Sequence, residues 1–273
     1  MADPRLSERR AAFRRLHESG CFLIPNPWDP GSAKVLAGLG FKALATTSSG
    51  FAWSRGAHDR DMGVDAVLEN CREIVAATSL PVNADFRDGH APDPDGVQSN
   101  TRRCVETGVA GLSIEDATGS PDHPLYDLET AVSRLRAARA AIDESGEDVM
   151  LIGRAECFLV GHPDPLPESI RRLKAYAAAG ADCLYAPGLT TLEQVDAVVS
   201  AVAPKPVNVL IGWPAKFTLK DLEARGVRRV SVGGALAGAA WGAFTRAAKS
   251  LAEGKFDGFA DNLSHPDIER LMD

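Results

Sequence analysis

Short apolar runs rich in Val, Ile and Leu alternate along the chain with longer stretches whose apolar residues recur at helical spacing. That alternation is the pattern of a parallel sheet with crossover helices. The runs predict eight strands: Cys21–Pro25, Lys42–Thr46, Pro81–Asp85, Ala110–Glu115, Val149–Arg154, Asp182–Ala186, Pro206–Leu210 and Arg229–Val232. Helices are expected near Gly31–Leu39, Val64–Ala77, Asp95–Thr107, Leu128–Glu144, Pro167–Ala179, Leu192–Ala203, Leu219–Arg225 and Ala235–Ala252. Four helix-to-strand joints share one design, with Gly40, Gly108, Gly180 and Gly226 each following a helix two or three residues before a strand. Glycine accepts the left-handed backbone that ends a helix, so these are repeated C-caps. Eight such units without a linker or a break in composition predict one (β/α)8 barrel domain over residues 1–273. A doubly wound open sheet is the alternative, but no GxGxxG follows the first strand.

Side chains alternate along a strand, so polar residues on the parity that faces the barrel axis stand out. In PVNADFRDG, Val82 and Ala84 suit the helix side, which leaves Asn83, Asp85 and Arg87 inward. In AGLSIED, Ser113 and Glu115 point inward, and in VMLIGRAE the inner charge is Arg154. Strands three, four and five thus each end in an inner charge at the C-terminal mouth, where barrels of this kind carry their chemistry. An unpaired charge inside a barrel is costly. Two neighbouring carboxylates, Asp85 and Glu115, call for a cation, and oxygen ligands at a barrel mouth suit Mg²⁺. The plain alternative is a closed ion-pair network of Asp85, Arg87, Glu115 and Arg154 with no ligand. The second strand runs into TTSSGFAWSRGAHD, whose small hydroxyls and Gly50 leave backbone N–H groups able to bind a carboxylate or an oxyanion.

Composition narrows the classes. The chain has 273 residues, with 30 Lys and Arg against 37 Asp and Glu, a formal charge of −7. No basic face is evident for nucleic acid, and no apolar run has the roughly 20 residues of a membrane helix. The N-terminal stretch is Arg-rich without an apolar signal core, which predicts a cytoplasmic protein; its arginines read as a solvated face. Cys21, Cys71, Cys104, Cys157 and Cys183 lack CxxC spacing and read as reduced, mostly buried thiols. His58, His90 and His123 fall in loops near the mouth, where a histidine is more often solvated than catalytic. Cys157 beside Arg154 could be a nucleophile but reads better as structural. Asp29 or Ser32 is expected to cap the first barrel helix, and Trp53 and Trp213 to wall or cover the mouth.

The segments FLIPNPWDPGSAKVLAGLGFKALATTSSGFAWSRGAHD, PVNADFRDG, GVAGLSIEDATG, LIGRAE and GVRRVSVGGAL, in this order, resemble the isocitrate lyase/phosphoenolpyruvate mutase superfamily and its phosphonomutase-like branch. The resemblance runs from about Phe22 to Leu236. It implies a (β/α)8 barrel, assembled as a homodimer or homotetramer with a C-terminal helix exchanged between partners. It also implies cleavage or rearrangement of a C–C or P–C bond next to an α-keto or α-hydroxy carboxylate through a Mg²⁺-stabilised enolate. By the same resemblance Ser49 and Gly50 hold substrate oxygens and Asp59 is an acid on the following loop. Asp85 and Glu115 are then metal ligands, and Arg154 binds the substrate carboxylate. Two departures matter. The second acid of the family's D-x-[DE] motif is Arg87 here, a cation that repels Mg²⁺ or replaces it as counter-ion. The KKCGH loop of the lyases is replaced by ATGSPDHPLYD, which points away from isocitrate lyase proper. The readings to separate are a Mg²⁺-assisted enzyme, a barrel that binds a carboxylate without turnover, and a metal-free enzyme using Arg87. The tail after the last helix packs on a neighbouring subunit or on its own barrel, and GALAGAAWGAFTRAAKSL offers a small-residue helix suited to close packing.

Overall fold

In the computed structural model, which describes residues 4–272, eight parallel strands form a nearly closed (β/α)8 barrel. The strands are β1 (Phe22–Ile24), β2 (Leu44–Ala45), β3 (Val82–Asp85), β4 (Gly111–Glu115), β5 (Met150–Arg154), β6 (Cys183–Tyr185), β7 (Val207–Leu210) and β8 (Arg229–Ser231). Helix α1 (Pro4–Leu16) precedes them. Then come α2 (Pro30–Gly38), α3 (Ser48–Ser54), α4 (Val64–Ala77), α5 (Pro94–Val105), α6 (Leu128–Ser145), α7 (Pro165–Ala178), α8 (Leu192–Val202) and α9 (Leu219–Glu223). The chain ends with α10 (Ala235–Ala252) and α11 (His265–Met272). Every expected strand and barrel helix is present, with ends shifted by a residue or two. Residues 1–3 of the Arg-rich N-terminus and Asp273 lie outside the described residues.

Alternation along the strands sorts two cores. Val82, Ala84, Leu112 and Ile114 pack outward with the buried stripe Val67, Leu68, Cys71, Ile74 and Val75 of α4, the spacing of one helix face. Inside, Phe22, Ile24, Ala45, Met150, Ile152 and Tyr185 pack with Phe13 of α1. The predicted C-cap glycines all have left-handed backbone, φ 84° at Gly40, 90° at Gly108, 102° at Gly180 and 83° at Gly226. At Gly108 space is also short, because a Cβ would stand 3.1 Å from Val75 Cγ1 and 3.2 Å from Leu6 Cδ2.

Helix α1 closes the N-terminal end of the barrel, and the expected solvated arginine face holds at Arg5 and Arg15, which are exposed, but fails at Arg10. Arg10 is buried, donating to the carbonyls of Val105 and Val109 at 3.1 Å each and pairing with Glu147. These carbonyls, in the helix-to-strand connection beneath the barrel, give the guanidinium its reason to be there. Next to it His17 is wedged edge-on against Phe13 and Phe22, and burial pushes its imidazole down to about 3, with Arg229 adding to the fall.

The ladder runs β1-β8-β7-β6-β5-β4-β3-β2, with no β1–β2 ladder among the described strands. That seam is bridged by Ala45 N–H donating to Pro25 O at 3.0 Å and by Asn26. Its Nδ2 donates to Thr46 O at 3.0 Å, and its Oδ1 accepts from the amides of Val232 and Gly233 at 2.9 Å each. One amide side chain thus ties the ends of β1, β2 and β8.

Helix α11 returns to its own barrel wall, where Lys34 donates to Met272 O. Helix α10 buries only Ala237 and leaves Leu236, Trp241, Phe244 and Leu251 exposed. All five cysteines are free, and all but Cys21 are buried. No helix among the described residues is long and apolar enough to cross a membrane.

Candidate active site

The three expected inner charges meet at the barrel mouth. Glu115 stands opposite Arg154 in the β4–β5 ladder, and Asp85 lies opposite Ser113 on β4. Arg154 Nη1 is 3.3 Å from Asp85 Oδ1 and 3.4 Å from Glu115 Oε2. Its Nε donates to Glu156, and its guanidinium lies 4.9 Å from the Tyr185 ring centroid. Three carboxylates therefore surround one arginine. Burial works against the Arg154 cation, yet Glu156 and Glu115 outweigh it and hold its proton more firmly than usual. Burial pushes Glu115 up to about 8 against the pull of Arg154, with Glu156 and Asp85 adding to the rise.

Asp85 is fixed from two sides. Thr46 Oγ1 accepts from its backbone N–H at 2.8 Å, and its Oδ2 accepts from Ser48 N–H at 2.9 Å. The Ser-Gly turn is thus the first turn of α3 rather than an open loop. Thr47 caps it, its Oγ1 accepting from Gly50 N–H at 3.3 Å and lying 3.1 Å from Ser49 Oγ. Gly50 is buried where a Cβ would stand 2.7 Å from Thr47 Cγ2. Ser48 N–H is thus turned to Asp85 and Gly50 N–H is capped, while Ser49 Oγ lies between Thr47 Oγ1 and Gly234.

The loop after α3 covers one side. Asp59 opens a short 3-10 turn, Asp59–Asp61, and its Oδ1 is buried without a partner. Next to it Arg60 reaches Glu115 Oε1 at 3.4 Å. Arg87 departs from expectation. β3 ends at Asp85, so alternation no longer applies two residues later, and Arg87 takes a left-handed backbone with φ 46°. Its Nη1 donates to Asp59 O at 3.4 Å, off the barrel axis and outside the Arg154 cluster. The ion-pair network is therefore Asp85, Glu115, Glu156 and Arg154, with Arg60 in the place foreseen for Arg87.

Beneath this layer lies a cavity of about 40 Å³, lined by Asn83, Asp85, Ser113, Arg154, Tyr185 and Arg229 among others. Arg229 is buried there, donating to Asn208 Oδ1 at 2.9 Å and Asn83 Oδ1 at 3.4 Å. Behind β4, Asp116 accepts from Glu156 N–H at 2.8 Å, Arg172 Nη1 at 2.9 Å and Tyr176 Oη at 2.5 Å, which locks the start of the loop after β5. Nothing in the spacing of residues announced Arg60, Asn26 or Asp116. The R-x-E pattern of Arg154 and Glu156 was the one signal for Glu156.

The other candidates fall away from the centre. His58 and His123 are exposed and His90 is half-buried, and none hydrogen-bonds to the Arg154 cluster. Burial pushes the Cys157 thiol up to about 11, which suits a structural group. Asp29 caps α2 in a capping box with Ser32. Trp53 stands half-open over the mouth, its ring near Gly234, and Trp213 is half-buried.

A cation has a place in this arrangement. Asp85, Glu115 and Glu156 gather around Arg154 with Arg60 beside them, and burial, with Glu156 and Asp85 adding to it, disfavours the charged form of Glu115 until a further cation is near. No group of three or more His, Cys, Asp or Glu able to hold a metal occurs among the described residues. Two carboxylates, Asp85 and Glu115, are the donor chemistry of a hard divalent cation that completes its shell with waters and substrate oxygens, not of a caged resident ion.

Comparison with known proteins places this mouth in context. A sequence profile described as phosphoenolpyruvate phosphomutase matches residues 13–252. An oxaloacetate decarboxylase of Rhodopseudomonas palustris (strain BisB5) is 31% identical over 261 residues, covering 90% of this chain and 86% of that protein. A Burkholderia cenocepacia J2315 structure, described only provisionally as a lyase or mutase, superposes with a TM-score of 0.94 at 45% identity, covering 97% of this chain and 96% of that one. Oxaloacetate acetylhydrolase with its product oxalate bound superposes with a TM-score of 0.88 at 25% identity, covering 99% and 95%.

Proposed function

The chain belongs to the phosphoenolpyruvate phosphomutase family, in the PEP mutase/isocitrate lyase superfamily, and from that premise we propose an enzyme that acts next to an α-keto or α-hydroxy carboxylate. It breaks or rearranges a C–C or P–C bond there, with C–C cleavage the favoured reaction. The observation that carries this reading is Arg154, an arginine at the strand ends held by three carboxylates, one of which, Asp85, also accepts from the Ser48 amide at the start of the Ser49 turn. The relatives named for oxaloacetate chemistry support the C–C preference.

Arg154 binds the substrate carboxylate, its fork suited to two parallel hydrogen bonds. Ser49 offers its amide and hydroxyl to the 2-oxygen, where negative charge develops as the bond breaks. Gly50 contributes by keeping the turn close to the neighbouring helix. Asp59, with one carboxylate oxygen unpartnered, is the loop acid placed to take or give a proton. Held by Asp85 and Glu115, Mg²⁺ would supply Lewis-acid charge to the oxygens of the developing enolate. Glu115 keeps its proton near neutrality until opposing charge arrives. The unit that works is one barrel domain over 1–273, in the cytoplasm, as a homodimer or homotetramer joined through the open face of α10.

The closed pairing of Arg154 favours one second reading, a barrel that binds a carboxylate metabolite without turnover. A panel of keto, hydroxy and phosphono acids, followed by detection of pyruvate and other keto-acid products, separates the two. The enzyme reading expects turnover that falls about a hundredfold or more in Arg154→Met. No turnover of any acid, with oxalate bound regardless of Mg²⁺, would support the second.

A further inference from the structure

Beside the mouth, outside the barrel axis, a cavity of about 370 Å³ is lined by Arg60, Arg87, His90, Met62, Asp88 and Tyr126. Three features of it are unusual. First, Arg87 and His90 are the only non-glycine residues with positive φ among the described residues, 46° and 51°. Such backbone is sterically unfavourable and persists where surrounding structure enforces it. Both strained residues flank this one cavity. Second, Arg87 is only 9% exposed, yet its Nε has no hydrogen-bond partner, and neither does His90 Nε2. Third, the charge is one-sided. Asp88, the carboxylate of the lining, is engaged by Tyr126 Oη at 3.3 Å, His90 N–H at 3.2 Å and Arg134 at 3.7 Å. Arg60 and Arg87 line the same space, Arg60 with one contact to Glu115 outside it and Arg87 with no carboxylate partner among its hydrogen bonds. Burial and the nearby Arg87 push His90 down to about 4, so it offers a neutral ring.

Arg60 also touches Glu115, which touches Arg154. The cavity is therefore next door to the proposed carboxylate site through one shared side chain. We infer that Arg87 and Arg60 form an anion subsite that holds the distal acidic group of the substrate, so that these two arginines set selectivity for it. The inference rests on the proposed function for the head group alone. The donors themselves do not depend on it. Two guanidinium groups in an open groove suit a carboxylate, and equally a phosphonate.

The test is calorimetry on the full chain with Mg²⁺ present, using malate and 2-hydroxybutyrate, which share head group and length and differ in the distal carboxylate. Phosphonoacetate serves as the phosphonate arm and oxalate as a probe of the Arg154 centre. The wild type should bind malate or phosphonoacetate at least about tenfold more tightly than 2-hydroxybutyrate, and the tighter of the two names the group. Arg87→Met should erase most of that preference and weaken oxalate much less. Arg60→Met, at a more exposed position, reads the same effect should Arg87→Met fail to fold. Arg55→Met removes the same charge from the neighbouring loop, where Arg55 lies over Phe51, and should keep the preference. A wild type without the preference, or one whose preference survives in both Arg60→Met and Arg87→Met, overturns the subsite. Loss of preference in Arg55→Met to the same degree overturns it too, since bulk charge then suffices. Absence of oxalate binding alone, with the preference intact, overturns the proposed function and leaves the subsite standing.

Discussion

Removing the Asp116 carboxylate should loosen the protein and its active site together. Asp116 is almost wholly buried and accepts from Arg172, Tyr176 and the amide of Glu156. In Asp116→Ala, Arg172, itself 6% exposed, loses one of its two carboxylate partners and keeps Glu168 at 2.7 Å. Breaking a buried ion pair from one side costs about 3–5 kcal/mol. The surviving Glu168 contact argues for the lower end, and the orphaned Tyr176 hydroxyl and Glu156 amide, each worth about 1–3 kcal/mol, argue for the upper. These terms share one site and do not simply add. At about 2 °C per kcal/mol for a chain of this size, the melting temperature should fall by about 6–10 °C. The pair is buried, so the loss should change little between low and high salt. Differential scanning calorimetry at both ionic strengths measures it, with oxalate titrated into the folded variant. Because Asp116 fixes the Glu156 amide, and Glu156 holds Arg154, oxalate affinity should fall as well. A loss under about 2 °C, or a loss that salt abolishes, would refute the assignment of Asp116 as the anchor behind the site.

Three further outcomes are expected. His17 titrates near 6.5 unfolded but is pushed to about 3 in the folded chain; its stabilising neutral form is therefore complete above pH 6.5 and lost progressively below it. At pH 4.5 the loss is about 2–3 kcal/mol, and His17→Gln should flatten that slope in urea titrations, whereas an unchanged slope would exclude His17 as its source. Trp241 and Phe244 meet edge to face at 5.7 Å on the open side of α10; replacing both by Asp should convert an oligomer to a monomer in light scattering, and an unaltered mass would clear this face of any role. Asp85→Asn should weaken Mg²⁺ binding measured with oxalate present by about tenfold or more, and equal affinity would remove Asp85 from the ligand set.

Local rules governed what could be read in advance. The β strands and the four capping glycines follow from alternation and backbone sterics, and so does the convergence of Asp85, Glu115 and Arg154, which sit on strands whose parity is fixed. Parity stops with the strand. Arg87 lies two residues past the end of β3, in a left-handed turn that alternation cannot foresee, and Glu156 lies equally far past β5. Arg60 reaches Glu115 because a 3-10 turn folds the loop over the mouth, a long-range outcome with no local signature. Helix α1 misled for a different reason. Its composition is that of a solvated helix, and only the carbonyls of residues about a hundred positions away give Arg10 a reason to be buried.

The Asn26 staple has a mechanical consequence. Seven of the eight strand junctions are ladders, which resist sliding because several parallel bonds must break at once. The junction of β1 and β2 has one backbone bond and one amide side chain instead. Compliance in the ring is therefore concentrated there. Such a slit lets β2, and with it the Thr47–Gly50 turn, shift against β1 and β8 while Glu115 and Arg154 stay fixed on paired strands. The barrel is stiff around Glu115 and Arg154 and yielding at the Thr47–Gly50 turn.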